Sequence, residues 1–333
     1  MLPINGRGAW VWYASQCGTV EDMIFWARQG KIDHLLVKVG DGNRFGTADE
    51  PFVFSDQFEN VRDGLKAAGI RVLTWSYNYL NDPQGEADIA IWALNNGSDG
   101  HVFDIESESE GKADAADMLG ALVRSKHPDA FLAYAPHAVI DYHLKLPYLQ
   151  FNAFCDAVMP QFYTLELGNG REWSFPRLFA EWDRWIGLWQ ASGNTVPVLV
   201  PFIDGYKDGN TATIAEYGPI ATARGIEGVS IWRFDTMQPA MYEALAAIPF
   251  TDPALPAPVP QPVPATIGDP LRWWRCPKGH EWESRGNFMV SFTIDGIERA
   301  KTGRLCPRCL AVNLDAIAGG VMTILPNVPT PAP

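Results

Sequence analysis

Short apolar runs alternate with amphipathic stretches along the first 250 residues of the chain. The apolar runs, rich in β-branched and aromatic residues, predict eight strands, at residues 9–13, 34–39, 71–75, 100–104, 131–134, 157–162, 196–200 and 228–232. The stretches between and after them have helical periodicity and predict helices at residues 20–29, 56–68, 87–94, 113–125, 175–191, 211–224 and 239–247. Residues 135–156 are less regular and predict a broken helix.

Several of these strands are apolar almost throughout, which is typical of strands buried on both faces of a parallel sheet. Residues 34–39, for example, are His-Leu-Leu-Val-Lys-Val. Eight β-then-α units are the number that a closed barrel requires. A doubly wound open sheet is the alternative, but it usually has fewer strands, and no Gly-rich phosphate loop follows the first strand here. We therefore predict an α/β fold, a (β/α)8 TIM barrel, over residues 1–250.

Proline marks the end of this barrel. Six of the twelve residues from 253 to 264 are proline, so this stretch can form neither a helix nor a strand ladder and should be an extended, semi-rigid spacer. We predict a linker at residues 251–269, a small module at 270–325 and a Pro-rich tail at 326–333.

Two short motifs in the small module predict a metal site. C-P-K-G-H begins at Cys276 and C-P-R-C begins at Cys306, and together they offer the three thiolates and one imidazole that suit tetrahedral zinc. A segment this short also needs a staple to fold. With the Trp residues at 274 and 282, the segment resembles treble-clef or zinc-ribbon modules of the pattern W-x-C-P-x-G-H-x-W…C-P-x-C. The resemblance implies four ligands of one structural zinc ion: Cys276, His280, Cys306 and Cys309.

The charge and the cysteine content limit the kinds of partner and the cellular setting that we expect for this chain. The chain has a formal net charge of −13; residues 269–333 carry 8 basic and 6 acidic residues, a net +2, so the remainder carries −15. An acidic barrel disfavours nucleic acid, and no apolar run has the length of a membrane span. The first eight residues lack a signal-peptide pattern, so we expect cytoplasmic synthesis. Cys17 and Cys155 stand apart from the metal motif and are expected to be reduced core residues.

Acidic residues cluster at the end of the fourth predicted strand. Side chains alternate along a strand, so Asp104 and Glu106 should face the same side, about 7 Å apart, at the end of the barrel where active sites lie. Two carboxylates facing one cavity repel, so one of them should keep its proton near neutral pH. This predicts an acid catalyst of glycoside cleavage. Glu108 and Glu110 are expected to cap the next helix.

The same strand resembles the D-G-x-x-x-D-x-E strand of family 18 glycoside hydrolases, the chitinases and endo-β-N-acetylglucosaminidases. Asp99, Gly100, Asp104 and Glu106 match that pattern, but Val102 stands where the family has a further Asp. The shorter D-x-E is also similar to family 25 lysozymes. Residues 158–163, V-M-P-Q-F-Y, resemble the sixth strand of plant-type chitinases. Gly228–Trp232 resembles the eighth strand, whose Trp forms the floor of the sugar subsite.

The resemblance implies a substrate-assisted mechanism. Glu106 would be the general acid, Asp104 would orient the acetamido group whose oxygen attacks the anomeric carbon, and Tyr163 would donate a hydrogen bond to that oxygen. Further strand-end residues are predicted to contact sugar: Gln161, Trp232, Trp75 and Tyr134. Weaker candidates at strand ends are Lys38, Asp41, Tyr77, His137 and Asp204.

Three functions remain open at this point. The first is a hydrolase of a GlcNAc-containing polysaccharide such as peptidoglycan or chitin, for which a phage lysin or a virion-borne enzyme is one setting. The second is a non-catalytic glycan-binding or structural virion protein on the same barrel. The third makes the zinc module the main actor, which binds protein, wall polymer or nucleic acid while the barrel serves as a scaffold. An assembly partner could bind through the zinc module or the Pro-rich tail. Glu106 favours the first function, and Val102 favours the second.

Overall fold

The computed structural model describes residues 2–46, 53–165, 173–207 and 209–250, and the backbone of five short strands beyond them. The chain divides into two compact units, residues 1–257 and 258–333. In the second unit the described strands form a three-stranded antiparallel sheet and a separate two-stranded one; they are Arg272–Arg275, Glu281–Ser284, Phe288–Ile294, Ile297–Gly303 and Thr323–Leu325. The linker at 251–269, the tail at 326–333 and the four predicted zinc ligands, Cys276, His280, Cys306 and Cys309, lie outside the described residues.

The first unit is built on a curled sheet of parallel strands. In chain order the strands are β1 Gly6–Val11, β2 His34–Asp41, β3 Arg71–Asn78, β4 His101–Ile105, β5 Leu132–Pro136, β6 Ala157–Val158, β7 Val198–Leu199, β8 Phe202–Asp204 and β9 Gly228–Trp232. Neighbours in space follow the order β7-β6-β5-β4-β3-β2-β1-β9-β8. Apart from β7 and β8, consecutive strands therefore pair with one another, as in a TIM barrel.

The segment that contains β7 and β8 links the two edges of this sheet. Val198 pairs with Ala157 of β6, whereas Phe202 pairs with Ser230 of β9. Between them lies Pro201, which has no N–H to donate to a ladder. Beyond it, the backbone N–H of Phe202 donates to the carbonyl of Pro160 at 3.0 Å. The sheet thus curls round on itself and resembles a (β/α)8 barrel.

Helices follow the strands and cover the outside of the sheet. They are α1 Val20–Gln29, α2 Phe54–Ala67, α3 Pro83–Asn95, α4 Ala113–Lys126, α5 Tyr148–Phe154, α6 Phe175–Ala191, α7 Asn210–Ala223 and α8 Pro239–Ala246. Local signals set several of the boundaries: Thr19 and Asp22 form a capping box at α1, and Asp82 caps α3 ahead of a proline. A 3-10 turn at Ile140–Tyr142 precedes the short α5, which confirms the predicted broken helix. None of the helices in these described parts is long and apolar enough to cross a membrane.

Alternation along the strands separates two apolar layers. In β4, Phe103 and Ile105 join the layer under the helices, whereas Val102 belongs to the cluster inside the sheet. Large rings fill that interior: Trp10 stacks on Phe202, with ring centroids 4.4 Å apart, and meets Trp75 edge-on at 5.5 Å. The predicted direction of the β4 side chains is therefore confirmed, and Asp104 is directed toward the interior face.

Candidate active site

Asp104 and Glu106 are held together by one glutamine at the carboxyl end of β4. Gln161, which follows β6, donates through Nε2 to Asp104 Oδ1 at 3.3 Å and to Glu106 Oε1 at 2.9 Å. Asp104 is 6% exposed, whereas Glu106, which begins the next 3-10 turn, is half-buried. The structure thus brings together three of the predicted site residues, from two strands that are not adjacent in the sheet.

The two carboxyl groups line a cleft of about 330 Å³ together with five aromatic side chains, a third carboxyl group and one ammonium group from neighbouring strand ends. Its lining residues are Trp12, Lys38, Asp41, Trp75, Tyr77, Tyr79, Asp104, Glu106 and Trp232. A concave site with apolar rings and a few convergent polar groups is the usual form of a small-molecule or sugar site. Trp12 and Tyr79 were not among the predicted residues, although each lies close to the end of a predicted strand.

The tryptophans form the floor of this cleft. Trp232 lies with its ring centroid 5.4 Å from Trp12 and 5.5 Å from Trp75, and the peptide bond that follows it is cis. Trp75 is almost fully buried, and its Nε1–H donates to the carbonyl of Val11 at 3.1 Å. Trp75 therefore supports the floor from below, while the half-buried Trp232 presents a ring to the cleft.

Burial determines the charge state of Asp104. Loss of water around the carboxyl group, and then the nearby carboxylate of Glu106, raise the pKa of Asp104 well above its usual range, while the charge of Lys38 and the hydrogen bond from Gln161 act in the opposite direction. This agrees with the expectation that one carboxyl group of the pair keeps a proton near neutral pH. The raised pKa makes Asp104 the candidate for that group.

Tyr77 connects the site to the turn beyond β4. Its hydroxyl donates to Glu108 Oε2 at 2.8 Å and, at the longer distance of 3.4 Å, faces Glu106 Oε2. Burial and these two carboxylates raise the pKa of Tyr77 far above its usual value, so the hydroxyl stays a donor. The predicted helix-capping role of Glu108 is wrong, because Lys112 is the N-cap residue of α4 and no side chain forms a capping hydrogen bond there.

A second cavity of about 320 Å³ adjoins the cleft at Gln161. It is lined by His137, Ala138, Val139, Tyr142, His143, Gln161, Tyr163 and Tyr206. The rings of His137 and His143 stack 4.0 Å apart, and His143 Nδ1 is 3.0 Å from Glu110 Oε1, so Glu110 does not cap α4 either. Burial lowers the pKa of His137, chiefly because desolvation disfavours its charged form. Tyr163 lines this second cavity, beside the cleft rather than in its wall.

Two predicted residues lie elsewhere. Tyr134 is fully buried under the helices and donates through its hydroxyl to Asn152 Oδ1 at 2.6 Å, so its predicted contact with sugar is wrong. The interior positions of β5 are occupied by Ala133, with Ala135 above it, because the large rings inside the sheet leave little room. Asp204 is likewise fully buried, away from the lining of both cavities.

Asp99 also serves the fold rather than the site. It begins the motif shared with family 18, yet it lies at the opposite end of β4 from Asp104. Its carboxylate accepts from the Val72 N–H at 2.8 Å and from Lys66 Nζ at 2.7 Å.

The described part of the chain contains no group of three or more His, Cys, Asp or Glu residues that could hold a metal ion. Cys17 and Cys155 are free and buried, as predicted. Burial raises the pKa of both thiols, so neither is a ready thiolate ligand or nucleophile.

Searches of family models and of curated protein sequences find no match to this chain. Among solved structures, chitinases and related glycoside hydrolases have the same fold. The catalytic domain of a hyperthermophilic chitinase from Pyrococcus furiosus aligns with a TM-score of 0.55 at 10% identity, over 74% of this chain and 94% of that one.

Two further solved structures cover different activities on this fold. A family 18 N-acetylglucosaminidase from Paenibacillus barengoltzii aligns with a TM-score of 0.50 at 12% identity, over 73% of this chain and 99% of that one. A chitinase-like agglutinin from Robinia pseudoacacia aligns with a TM-score of 0.51 at 14% identity, over 72% and 98%. Identities this low show a shared fold, which confirms the TIM-barrel-like architecture; the reaction must be argued from the site.

Proposed function

We propose that this protein is a glycoside hydrolase that cleaves a GlcNAc-containing polysaccharide, peptidoglycan or a chitin-like polymer. The observation that carries the proposal is the pair Asp104 and Glu106, joined by Gln161 in an aromatic-floored cleft at the carboxyl ends of the strands. This is the end of such a barrel at which active sites are found. The chitinases with the same fold supply the substrate class.

In the proposed reaction, Glu106 transfers its proton to the glycosidic oxygen as the bond breaks. The acetamido oxygen of the substrate attacks the anomeric carbon, and the Asp104 carboxylate holds the acetamido N–H while positive charge develops. The sugar ring stacks on Trp232. Glu106, now an anion, then takes a proton from the water that completes hydrolysis. Tyr163, in the adjoining cavity, is the proposed donor to the acetamido oxygen.

This sequence of steps requires one proton to change places. Burial and Glu106 raise the pKa of Asp104 and so favour the proton on Asp104 in the free protein, but the acid step needs it on Glu106. Gln161 donates to an oxygen of each group, so it can stabilise the anionic form of either one. Binding of an acetamido N–H beside Asp104 adds a donor that favours the Asp104 anion and thereby releases the proton to Glu106.

A non-catalytic glycan-binding protein is the second candidate, and one observation favours it. Val102, on the same side of β4 as Asp104, is apolar and fully buried, so β4 provides two acidic groups where the family 18 pattern has three. The chitinase-like agglutinin of Robinia pseudoacacia has the same fold. In that case the cleft would bind sugar by stacking on Trp232 without cleaving it.

One experiment separates these candidates. The full chain is incubated with purified peptidoglycan and with chitin oligomers, products are identified by mass spectrometry, and binding is measured in parallel by calorimetry. New reducing-end fragments from the wild type, absent with Glu106→Gln, support the hydrolase. Binding without fragments from any polymer supports the second candidate. If the chain neither binds nor cleaves any of these polymers, both candidates are rejected.

We further propose that residues 270–325 form a zinc module with Cys276, His280, Cys306 and Cys309 as ligands; the spacing of the two motifs supports this. Because the ligands close the site, folding of the module should depend on the metal. Metal analysis should find one zinc per chain, and Cys306→Ser should lose both the zinc and the module's fold while the barrel stays folded. A zinc-free protein with a folded module would contradict the proposal.

A hydrolase joined by a Pro-rich spacer to a small module is also the arrangement of many wall-lytic proteins. A phage lysin or virion-borne wall enzyme is therefore the setting that we propose. Clearing of intact cell walls by the full chain, compared with a chain that ends at residue 250, tests whether the module contributes to it.

A further inference from the structure

A lysine lies buried beneath the cleft, surrounded by aromatic rings. Lys38 is 1% exposed, and its Nζ lies 4.5 Å, 4.8 Å and 4.9 Å from the ring centroids of Trp12, Phe54 and Trp75. Its Nζ is also 2.8 Å from Asp41 Oδ2. Rings at these distances stabilise an ammonium ion through their electron-rich faces. The arrangement therefore holds a positive charge at one defined position on β2.

Neighbouring groups fix this position further. Gln57, on α2, donates through Nε2 to the Lys38 carbonyl at 2.8 Å and to the Trp12 carbonyl at 2.9 Å. Asp41 is shared, because its Oδ1 accepts from the Tyr79 hydroxyl at 2.9 Å. Burying an ammonium ion carries a desolvation cost, which the surrounding rings and the Asp41 carboxylate offset. A buried charge maintained at that cost beside a candidate active site suggests a function for the charge.

We propose, on the basis of the hydrolase function argued above, that Lys38 is a positioning residue whose charge stabilises the Asp104 carboxylate and so directs the proton of the pair to Glu106. Lys38 and Asp104 line the same cleft. Lys38 does not itself contact the bond that breaks. It acts through Asp104, and Asp41 moderates its effect.

The other groups around the pair do not supply this positive charge. Asp41 from β2 and Glu106 from the end of β4 are acidic; Tyr77 and Tyr79 from β3 and Gln161 after β6 are neutral. His137 approaches Glu106 from the second cavity, and burial lowers its pKa, so it is mainly neutral at pH 7. Burial and then Glu106 raise the pKa of Asp104, and of the two groups that oppose this rise Lys38 has the larger effect and Gln161 the smaller one.

The two charged residues of β2 should act in opposite directions, which gives a signed test. Lys38→Met keeps the length of the side chain but removes the charge, so Asp104 should titrate at a pH at least about 1 unit higher. Lys38→Arg keeps the charge and should stay close to the wild type. Asp41→Asn removes a competing anion, so Asp104 should titrate at a lower pH. Lys126→Met, in the exposed last turn of α4, is the matched control and should change nothing.

The titration is followed in the full chain by carboxyl ¹³C NMR with labelled aspartate, and Asp104→Asn assigns the resonance. This reading does not depend on turnover. A resonance that titrates alike in the wild type, Lys38→Met and Asp41→Asn would overturn the inference. If Lys38→Met does not fold, Asp41→Asn still decides, because an unchanged or higher titration point in that variant contradicts the proposed coupling.

Turnover of GlcNAc oligomers is measured on the same variants across pH. Lys38→Met should lose about tenfold or more in kcat, the equivalent of about 1 pH unit in the position of the proton, and Lys38→Arg should recover most of it. If the wild type cleaves and Lys38→Met has the same pH profile, the role of Lys38 is wrong but the proposed hydrolase function stands. Absence of cleavage in the wild type, with the Asp104 titration shifted as expected, would count against the hydrolase and leave the charge coupling standing.

Discussion

Replacement of Glu106 by Gln should lower turnover by orders of magnitude while leaving sugar binding nearly intact. Glutamine has the same shape as glutamate but carries no proton that it can transfer to a leaving group. The hydrogen-bonded frame survives the change: in the wild type Gln161 Nε2 donates to Glu106 Oε1 at 2.9 Å, and an amide oxygen at that position can still accept this bond. The other neighbour, Tyr77, is 3.4 Å from Glu106 Oε2 and retains its shorter bond of 2.8 Å to Glu108.

These contacts set the expected magnitudes. A general acid contributes roughly 10²–10⁴ in rate, which corresponds to about 3–5 kcal/mol of barrier. The altered contact with Tyr77 is long, so its loss should cost less than the roughly 1 kcal/mol of an ordinary hydrogen bond. Affinity for GlcNAc oligomers should therefore change by less than about fivefold, and nearly all of the effect should appear in kcat.

The assay is product release from GlcNAc oligomers under saturating substrate, with affinity measured separately by calorimetry. Glu108→Gln is the matched control, because it makes the same chemical change two residues further on, in an exposed turn, and its amide oxygen still accepts from Tyr77. Asp104→Asn should also impair turnover, since the proposed mechanism needs its anion. Equal kcat in the wild type and Glu106→Gln would remove Glu106 from the mechanism.

Two further predictions concern the pH dependence of stability and the floor of the cleft. His101 is fully buried, its ring nitrogens lie 2.9 Å and 3.0 Å from hydroxyl groups, and burial lowers its pKa to about 3. In the unfolded chain the same imidazole takes up a proton near pH 6.5, whereas in the folded chain it does not. His101 should therefore lower the free energy of unfolding by about 1.4 kcal/mol per pH unit as the pH falls from about 6.5 to about 3. Urea unfolding at several pH values should show that slope reduced in His101→Gln, and an identical slope in both proteins would contradict it. Trp232→Ala should weaken binding of GlcNAc oligomers roughly 30-fold, if a stacked sugar covers about 80 Å² of ring at about 25 cal/mol per Å². Trp185→Ala, on the outer helix α6, is the control and should leave binding unchanged. Calorimetry measures both affinities, and equal losses would argue against stacking on Trp232.

Local patterns in the sequence were sufficient for much of the fold and for the centre of the site. The bounds predicted for α1 and α6 match the structure, because a cap or a helix-starting proline accompanies a clear apolar face there. The period of two along β4 placed Asp104 and Glu106 on one side and Phe103 on the other. Such features depend only on residues a few positions apart.

The errors arose where distant residues decide the outcome. Tyr134 was predicted to face the cleft from β5, but Ala133 shares the interior cluster with Trp10 and Trp75 of other strands, and Tyr134 packs under the helices. The seventh strand was predicted to end at residue 200, but Phe202–Asp204 continues it beyond Pro201 because β9 provides a partner. In the same way, nothing near Glu108 in the sequence indicates that Tyr77 binds it.

The contacts of Trp232 have a consequence for the entropy of binding. Its ring touches Trp10, Trp12 and Trp75, with centroids 5.4–5.9 Å apart, and Trp10 in turn stacks on Phe202 in the packed interior. A side chain that packs among other indole rings loses little rotational freedom when a ligand covers it. The entropy cost of ordering this side chain on binding is therefore small. The packed core of the barrel thus keeps this part of the cleft surface ordered before a ligand binds.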